Sequence, residues 1–176
     1  MNQRETRIKI FITGSPGIGK TTLIKKIAAS FQDKAAGFYT EEMRNPVSQK
    51  REGFLIQSLQ GETGFLASTT KKSPFRVGRY CVFLEDLERI GIASIQTGLS
   101  KNKIILIDEI GPMELFSEKF RQVLGKGLKA PNSLIATIAE KSLLQYRETQ
   151  HVRIIRIDQE NRDCLVFEIL KELGLG

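Results

Sequence analysis

Residues 8–22 read I-K-I-F-I-T-G-S-P-G-I-G-K-T-T, and Gly14-Ser15-Pro16-Gly17-Ile18-Gly19-Lys20-Thr21 completes the pattern G-x-x-x-x-G-K-[ST]. Ile8, Ile10, Phe11 and Ile12 form a β-branched and aromatic run before it, and Leu23, Ile24, Ile27, Ala28 and Phe31 follow at helical spacing. The order is strand, glycine loop, helix. A helix starting near Lys20 points its unpaired N–H groups and positive dipole end into the loop, which suits a polyphosphate. Glycines let the backbone approach phosphate oxygens without an intervening Cβ. Lys20 then reaches the β- and γ-phosphates, Thr22 sits in the helix's first turn, and the Thr21 hydroxyl is placed for Mg²⁺.

The rest of the chain repeats the strand and helix alternation. Strands are expected at 35–40, 51–59, 63–67, 104–107, 133–138 and 152–157, with a further short one at 80–83. Helices are expected at 84–99, where Gly91 breaks the apolar stripe, and at 117–128, 140–148 and 162–173. Alternating elements imply parallel, right-handed βαβ units in a doubly wound α/β sheet. The pair of strands separated by Gln60-Gly61-Glu62 reads as an antiparallel hairpin extending one edge of that mostly parallel sheet. Residues 68–80 are polar, basic and broken by Pro74 and Gly78, and read as a loop. At 176 residues, 40% hydrophobic and 27% charged, the chain is expected to form one domain over 1–176.

Ile104-Ile105-Leu106-Ile107 is the pattern of a strand buried on both faces, with Asp108 and Glu109 where that strand should end. In an open parallel sheet ligands bind outside the carboxyl ends of the strands, so these acids and the glycine loop converge. Asp108 is the candidate Mg²⁺ ligand alongside Thr21, and Glu109 the candidate to orient or deprotonate an attacking water. A cation near the γ-phosphate is the remaining need. Arg44, behind Glu41-Glu42, is the first candidate, with Arg79 and Arg162 as others. Asn161 reads as the N-cap of the last helix.

The net charge of +7 is scattered, without a Lys/Arg block, and suits an anionic substrate. Cys81 and Cys164 are isolated and His151 is the lone histidine, which argues against zinc and for a reducing, cytoplasmic setting. No apolar run reaches the length of a membrane span, and a monomer is expected.

Four segments together, G-S-P-G-I-G-K-T-T, G-F-Y-T-E-E-M-R, I-D-E-I-G-P-M-E-L and E-N-R-D, resemble the THEP1 family of nucleoside-triphosphatases in order and spacing over nearly the whole chain. The first is shared by many unrelated proteins, whereas D-E-I-G-x-M-E-L with T-E-E-x-R is far more specific. The resemblance implies a P-loop domain that hydrolyses ATP, GTP and other nucleoside triphosphates to diphosphates with Mg²⁺. It also implies nucleotide contact by Gly14 to Thr21 and by Ile104, Ile105, Leu106, Ile107, Asp108, Glu109, Ile110 and Gly111. Independently, no [NT]-K-x-D guanine-reading motif occurs, so base selectivity should be weak. Two other classes remain open at this stage: a small-molecule kinase with Lys71–Arg79 as its lid, and a nucleic-acid-binding NTP switch using Lys71, Lys72, Arg76 and Arg79 with Phe75 and Tyr80.

Overall fold

The computed structural model describes residues 7–146 and 148–175. Strand β1 (Lys9–Thr13) leads through the glycine loop into α1 (Lys20–Phe31). Four strands follow: β2 (Ala35–Arg44), β3 (Arg51–Ser58), β4 (Thr63–Ser68) and β5 (Phe75–Val77). After β6 (Tyr80–Val82), the chain turns helical through α2 (Leu84–Asp86), a π-helical segment Leu87–Ile92 and α3 (Ala93–Ser100). It continues with β7 (Ile104–Ile110), α4 (Glu118–Lys129), β8 (Leu134–Ile138), α5 (Glu140–Leu143), β9 (Arg153–Arg156) and α6 (Arg162–Glu172).

One nine-stranded sheet carries all of this, in the order β5-β6-β4-β3-β2-β7-β8-β1-β9. The five strands from β2 to β9 are parallel, and β3, β4, β6 and β5 extend the sheet antiparallel beyond β2. The fold is the expected doubly wound α/β class, with a four-stranded extension where a two-stranded hairpin was expected. Because side chains alternate along a strand, the central strands are apolar on both faces. Ile10, Ile12, Leu106 and Ile135 meet α1 and α6 through Ile24, Ile27, Leu165 and Ile169. Phe11, Ile105, Ile107 and Ala136 face the opposite layer, built by Ile90, Ile95, Phe120 and Leu124.

Several boundaries differ from the sequence pattern for identifiable reasons. β2 runs on through Glu41, Glu42 and Met43 to Arg44 because β3 pairs with it along that length, Glu42 opposite Phe54 and Arg44 opposite Arg51. Part of 68–80 is strand, since Phe75–Val77 pairs with Tyr80–Val82. The stripe at 84–99 loses α-helical regularity around Gly91, where a Cβ would stand 3.0–3.2 Å from Ile56 and Phe38 side chains, so the missing side chain permits close packing onto the sheet. The helix expected at 140–148 is only α5 followed by a 3-10 turn at Leu144–Tyr146, and Arg147 lies outside the described residues. Among the described residues no helix is long and apolar enough to cross a membrane.

Candidate active site at the carboxyl edge of the sheet

Helix α1 has Gly19 (φ 112°) as its N-cap, with no side-chain cap and no acidic residue in its own first turn, so none of its own side chains compensates its positive end. The loop before it is pressed against the end of β9. A Cβ on Gly14 (φ 155°) would lie 2.6 Å from the Ile157 carbonyl oxygen and 2.8 Å from its Cγ2, which only glycine avoids. Lys20 Nζ folds over the loop, donating to the carbonyls of Gly14 at 2.7 Å and Ser15 at 3.2 Å.

Asp108 projects from β7 toward the start of α1. Its Oδ2 accepts from Thr21 Oγ1 at 2.6 Å and its Oδ1 from Thr137 Oγ1, on the neighbouring β8, at 2.5 Å. The carboxyl is 2% exposed. Burial pushes its pKa up, while the two threonine hydroxyls and Lys20 hold it down. Glu109 is also raised, by burial and then by Asp108, with Lys20 opposing. That shift moves a carboxylate toward the range useful for a base near neutral pH. The acids do not follow the strand but interrupt it: β7 carries one extra residue against β8 between Ile107 and Ile110. A bulge of this kind re-aims side chains, and both acids turn into one cleft.

That cleft, about 520 Å³, is lined by Pro16, Gly17, Gly19, Lys20, Thr21, Thr22, Asp108 and Glu109 on one side, and by Thr40, Glu41, Glu42, Arg51 and Phe54 on the other. The glycine loop and the acid pair therefore meet as expected. Ile104, Ile105, Leu106, Ile107, Ile110 and Gly111 do not line it; they pack within β7 or behind the acids and position Asp108 and Glu109. Ser15 and Ile18 face a second cleft, of about 530 Å³, on the opposite flank of the loop, with Arg156, Ile157, Asp158 and Arg162. It is continuous in lining with a smaller hollow beside Thr22, Lys26, Arg162 and Val166.

Arg44 is not at the site. It donates to the Gln49 carbonyl and pairs with Glu42, beyond a register shift at Met43/Arg44 that carries it off the cleft wall. Arg79 is turned to the Arg51 carbonyl and the Tyr80 hydroxyl. Asn161 does not cap α6 with its side chain; it accepts from the Asp158 N–H and donates to the Arg156 carbonyl instead. Two residues at the site escaped the sequence pattern. Arg51 lines the cleft, and its only sequence signal is its place just after the Asn45-Pro46 turn that folds β3 back onto β2. Glu114, 3% exposed, accepts from the Gly111 N–H at 3.0 Å behind Glu109, and burial pushes its pKa to about 8.

Thr21 Oγ1 and Asp108 Oδ2 are hard oxygen donors held together at the dipole end of α1, a pair suited to Mg²⁺, which takes few protein ligands and completes its shell with water and phosphate. Among the described residues no group of three or more His, Cys, Asp or Glu is placed to hold a metal ion by itself.

A model of the NTPase family matches residues 9–170. The nucleoside-triphosphatase THEP1 of Thermotoga maritima is 47% identical over 169 residues, covering 94% of this chain and 95% of the relative. THEP1 of Aquifex aeolicus is 38% identical over 176 residues, covering 94% and 99%. The crystal structure of the Aquifex aeolicus THEP1 superposes with a TM-score of 0.84 at 36% identity, over 94% of this chain and 99% of that one. The solution structure of a human cancer-related nucleoside triphosphatase gives 0.76 at 31% identity, over 93% and 96%.

Proposed function

The chain belongs to the THEP1 family of nucleoside-triphosphatases, and on that premise we propose that it hydrolyses nucleoside 5′-triphosphates to diphosphate and phosphate, with Mg²⁺ and with little regard for the base. The observation that carries the reading is the Thr21–Asp108 contact inside a cleft whose wall includes Glu109. A pair of oxygen donors suited to a metal and a half-buried carboxylate stand side by side at the mouth of the phosphate loop.

The chain's own groups divide the work. The loop N–H groups and the α1 dipole hold the β-phosphate, and Lys20 exchanges the Gly14 and Ser15 carbonyls for β- and γ-oxygens. Thr21 and Asp108 would hold Mg²⁺, which when bound neutralises charge on those oxygens. Glu109 takes the proton of a water as its oxygen bonds to the γ-phosphorus, and the bond from that phosphorus to the β–γ bridging oxygen breaks, leaving the electron pair on the diphosphate. Burial of Glu109 supports this, because a desolvated carboxylate is a stronger base than one in water.

Indifference to the base is supported by the flank opposite Glu109. The nucleoside leaves the loop toward the cleft of Ile18, Ile157, Arg162 and Val166. Polar groups of the adjoining turn are already used internally: Asp158 Oδ1 accepts from the N–H groups of Glu160 and Asn161, and Asn161 bonds Asp158 and Arg156. What remains is the apolar surface of Ile18, Ile157 and Val166 and the half-exposed Arg162, against which any base can stack, within a rim that also carries Lys26, Arg156 and Gln159.

No observation favours a kinase or a nucleic-acid switch. Lys71–Arg79 does not line the cleft; Lys71 covers the Phe65 ring and Arg79 is tied to the sheet. We further take residues 1–176 to act as one monomeric unit, since the loop, α1 and the strands β2, β3 and β7 that line the cleft belong to one sheet and the helix packed on it, and Cys81 and Cys164, both unpaired, suit a reducing cytoplasm. Phosphate release from ATP, GTP, CTP and UTP with Mg²⁺ and no acceptor tests the function. Comparable release from all four is expected. Release only when an acceptor is added, or from one nucleotide alone, would overturn hydrolysis or base tolerance respectively.

A further inference from the structure

Negative charge spreads over the γ-phosphoryl oxygens as the bond breaks, and Lys20 approaches them from the loop side only. The facing wall of the cleft is Thr40, Glu41, Glu42, Arg51 and Phe54, and Arg51 is its one cation among the described residues. Both acids of that wall are engaged by cations: Glu41 with Lys25, and Glu42 with Arg44 and Arg51. We propose that Arg51 is the arginine that meets the γ-phosphate in cis, with Glu42 as the residue that positions it.

Three observations fix Arg51 in place without using up its donors. Its guanidinium lies over the Phe54 ring, 5.4 Å from the centroid, and its Nη2 is paired with Glu42. Its backbone carbonyl accepts from Arg79 at 3.0 Å, which pins the start of β3. Its Nε, in contrast, is buried with no hydrogen-bond partner among the described residues. A guanidinium placed only for structure has its fork matched by acceptors, because an unpaired buried donor is unfavourable. Here the fork is oriented and partly unused, at the rim of a cleft that receives phosphate. Arg51 lines the same cleft as Thr21 and Asp108, whereas Arg162 flanks the opposite side of the loop, so Arg51 faces the γ-phosphate and not the nucleoside.

The proposal rests on hydrolysis at the phosphate loop, and its test separates the two. Phosphate release from Mg–ATP is compared in wild type, Arg51→Ala and Arg51→Lys, together with calorimetric affinities for Mg–ADP and for Mg–ADP with aluminium fluoride, a mimic of the transferring phosphoryl group. In Arg51→Ala kcat should fall about 1,000-fold or more while KM stays within a few fold. Mg–ADP should bind as in wild type, because it has no γ-phosphate, whereas the extra affinity conferred by aluminium fluoride should vanish. Arg51→Lys should keep the charge but not the fork and recover only a small part of kcat, and millimolar guanidinium should partly restore Arg51→Ala. Should Arg51→Ala lose Mg–ADP as well, Arg51→Lys decides: ADP binding retained with kcat lost supports the assignment. Unchanged kcat in both variants, or, in Arg51→Lys, ADP and aluminium fluoride affinities that fall together, overturns it while leaving hydrolysis intact. A wild-type protein that releases no phosphate overturns the hydrolysis reading instead.

Discussion

Thr21 and Asp108, 87 residues apart in sequence, share a 2.6 Å hydrogen bond that joins the first turn of α1 to the end of β7. The second oxygen of Asp108 is held by Thr137 from β8, so the carboxylate plane is set by two hydroxyls on two elements. Groups that orient a metal ligand change metal affinity about 10- to 100-fold when removed. Thr137→Val should therefore raise the Mg²⁺ concentration for half-maximal phosphate release about tenfold or more. Maximal turnover at saturating Mg²⁺ should be far less affected. A Mg²⁺ titration at saturating ATP checks this, and an unchanged midpoint would show that Thr137 serves only packing.

Burial raises the Glu109 carboxyl most, Asp108 adds to the rise, and Lys20 opposes both. Replacing Glu109 by Gln keeps the shape and removes the base. Glu109→Gln should bind Mg–ATP with wild-type affinity and lose turnover by roughly 100-fold or more. Equilibrium binding alongside single-turnover hydrolysis distinguishes this outcome from a loss of nucleotide affinity.

Glu114 supplies a stability signature independent of catalysis. Its carboxyl is raised to about 8, first by burial and then by Glu109 and Asp108, against hydrogen bonds from the N–H groups of Glu114 and Gly111. In the unfolded chain a glutamate ionises near 4.3. Between those two values the native state binds more protons than the unfolded one, so this group makes stability fall as pH rises from about 5 to about 8, and adds no further slope above that. Glu114→Gln preserves an acceptor for the Gly111 N–H and removes the titration. Urea unfolding at pH 5.5 and pH 8 should show a smaller loss for the variant, with stability at pH 8 raised by up to a few kcal/mol. Equal pH dependence in the two proteins would place the titration elsewhere.

The sequence discloses the parts of this site that local pattern encodes. The glycine loop and the four apolar residues Ile104–Ile107 are contiguous signals, and their convergence follows from the parallel sheet. What it hides depends on register between distant strands. Arg44 and Arg51 are both arginines beside acids, and they face each other in the β2–β3 pairing, yet only Arg51 lines the cleft. The shift at Met43/Arg44 that separates them is set by pairing geometry, to which neither residue's neighbours in sequence are a guide. Likewise the bulge that turns Asp108 and Glu109 together exists only against β8, so Ile104–Gly111 reads as one binding segment although two of its side chains reach the cleft.

Gly37 is the clearest case of a residue whose necessity is invisible before pairing is known. It sits in β2 beside Leu106 of β7 with φ 133°, and a Cβ there would fall 1.8 Å from the Leu106 carbonyl oxygen. Its backbone is also clamped by Ser94, whose Oγ accepts from the Gly37 N–H at 2.9 Å and donates to the Gly37 carbonyl at 2.8 Å. No rotamer change relieves a clash between two backbones, so β2 must move away from β7 or the pairing must break. Gly37→Ala should destabilise by more than about 4 kcal/mol, the range reserved for strained backbone and broken networks. Because β2 carries Thr40, Glu41 and Glu42 to the cleft and holds β3 with Arg51, any folded fraction should also lose turnover more than Mg–ADP binding, which depends on the loop and α1. Ser94→Ala removes the clamp without the clash and should cost only about 1–3 kcal/mol. Urea unfolding of the two variants checks the ranking, and a Gly37→Ala protein as stable as Ser94→Ala would mean that β2 and β7 tolerate a separation the sheet does not otherwise require.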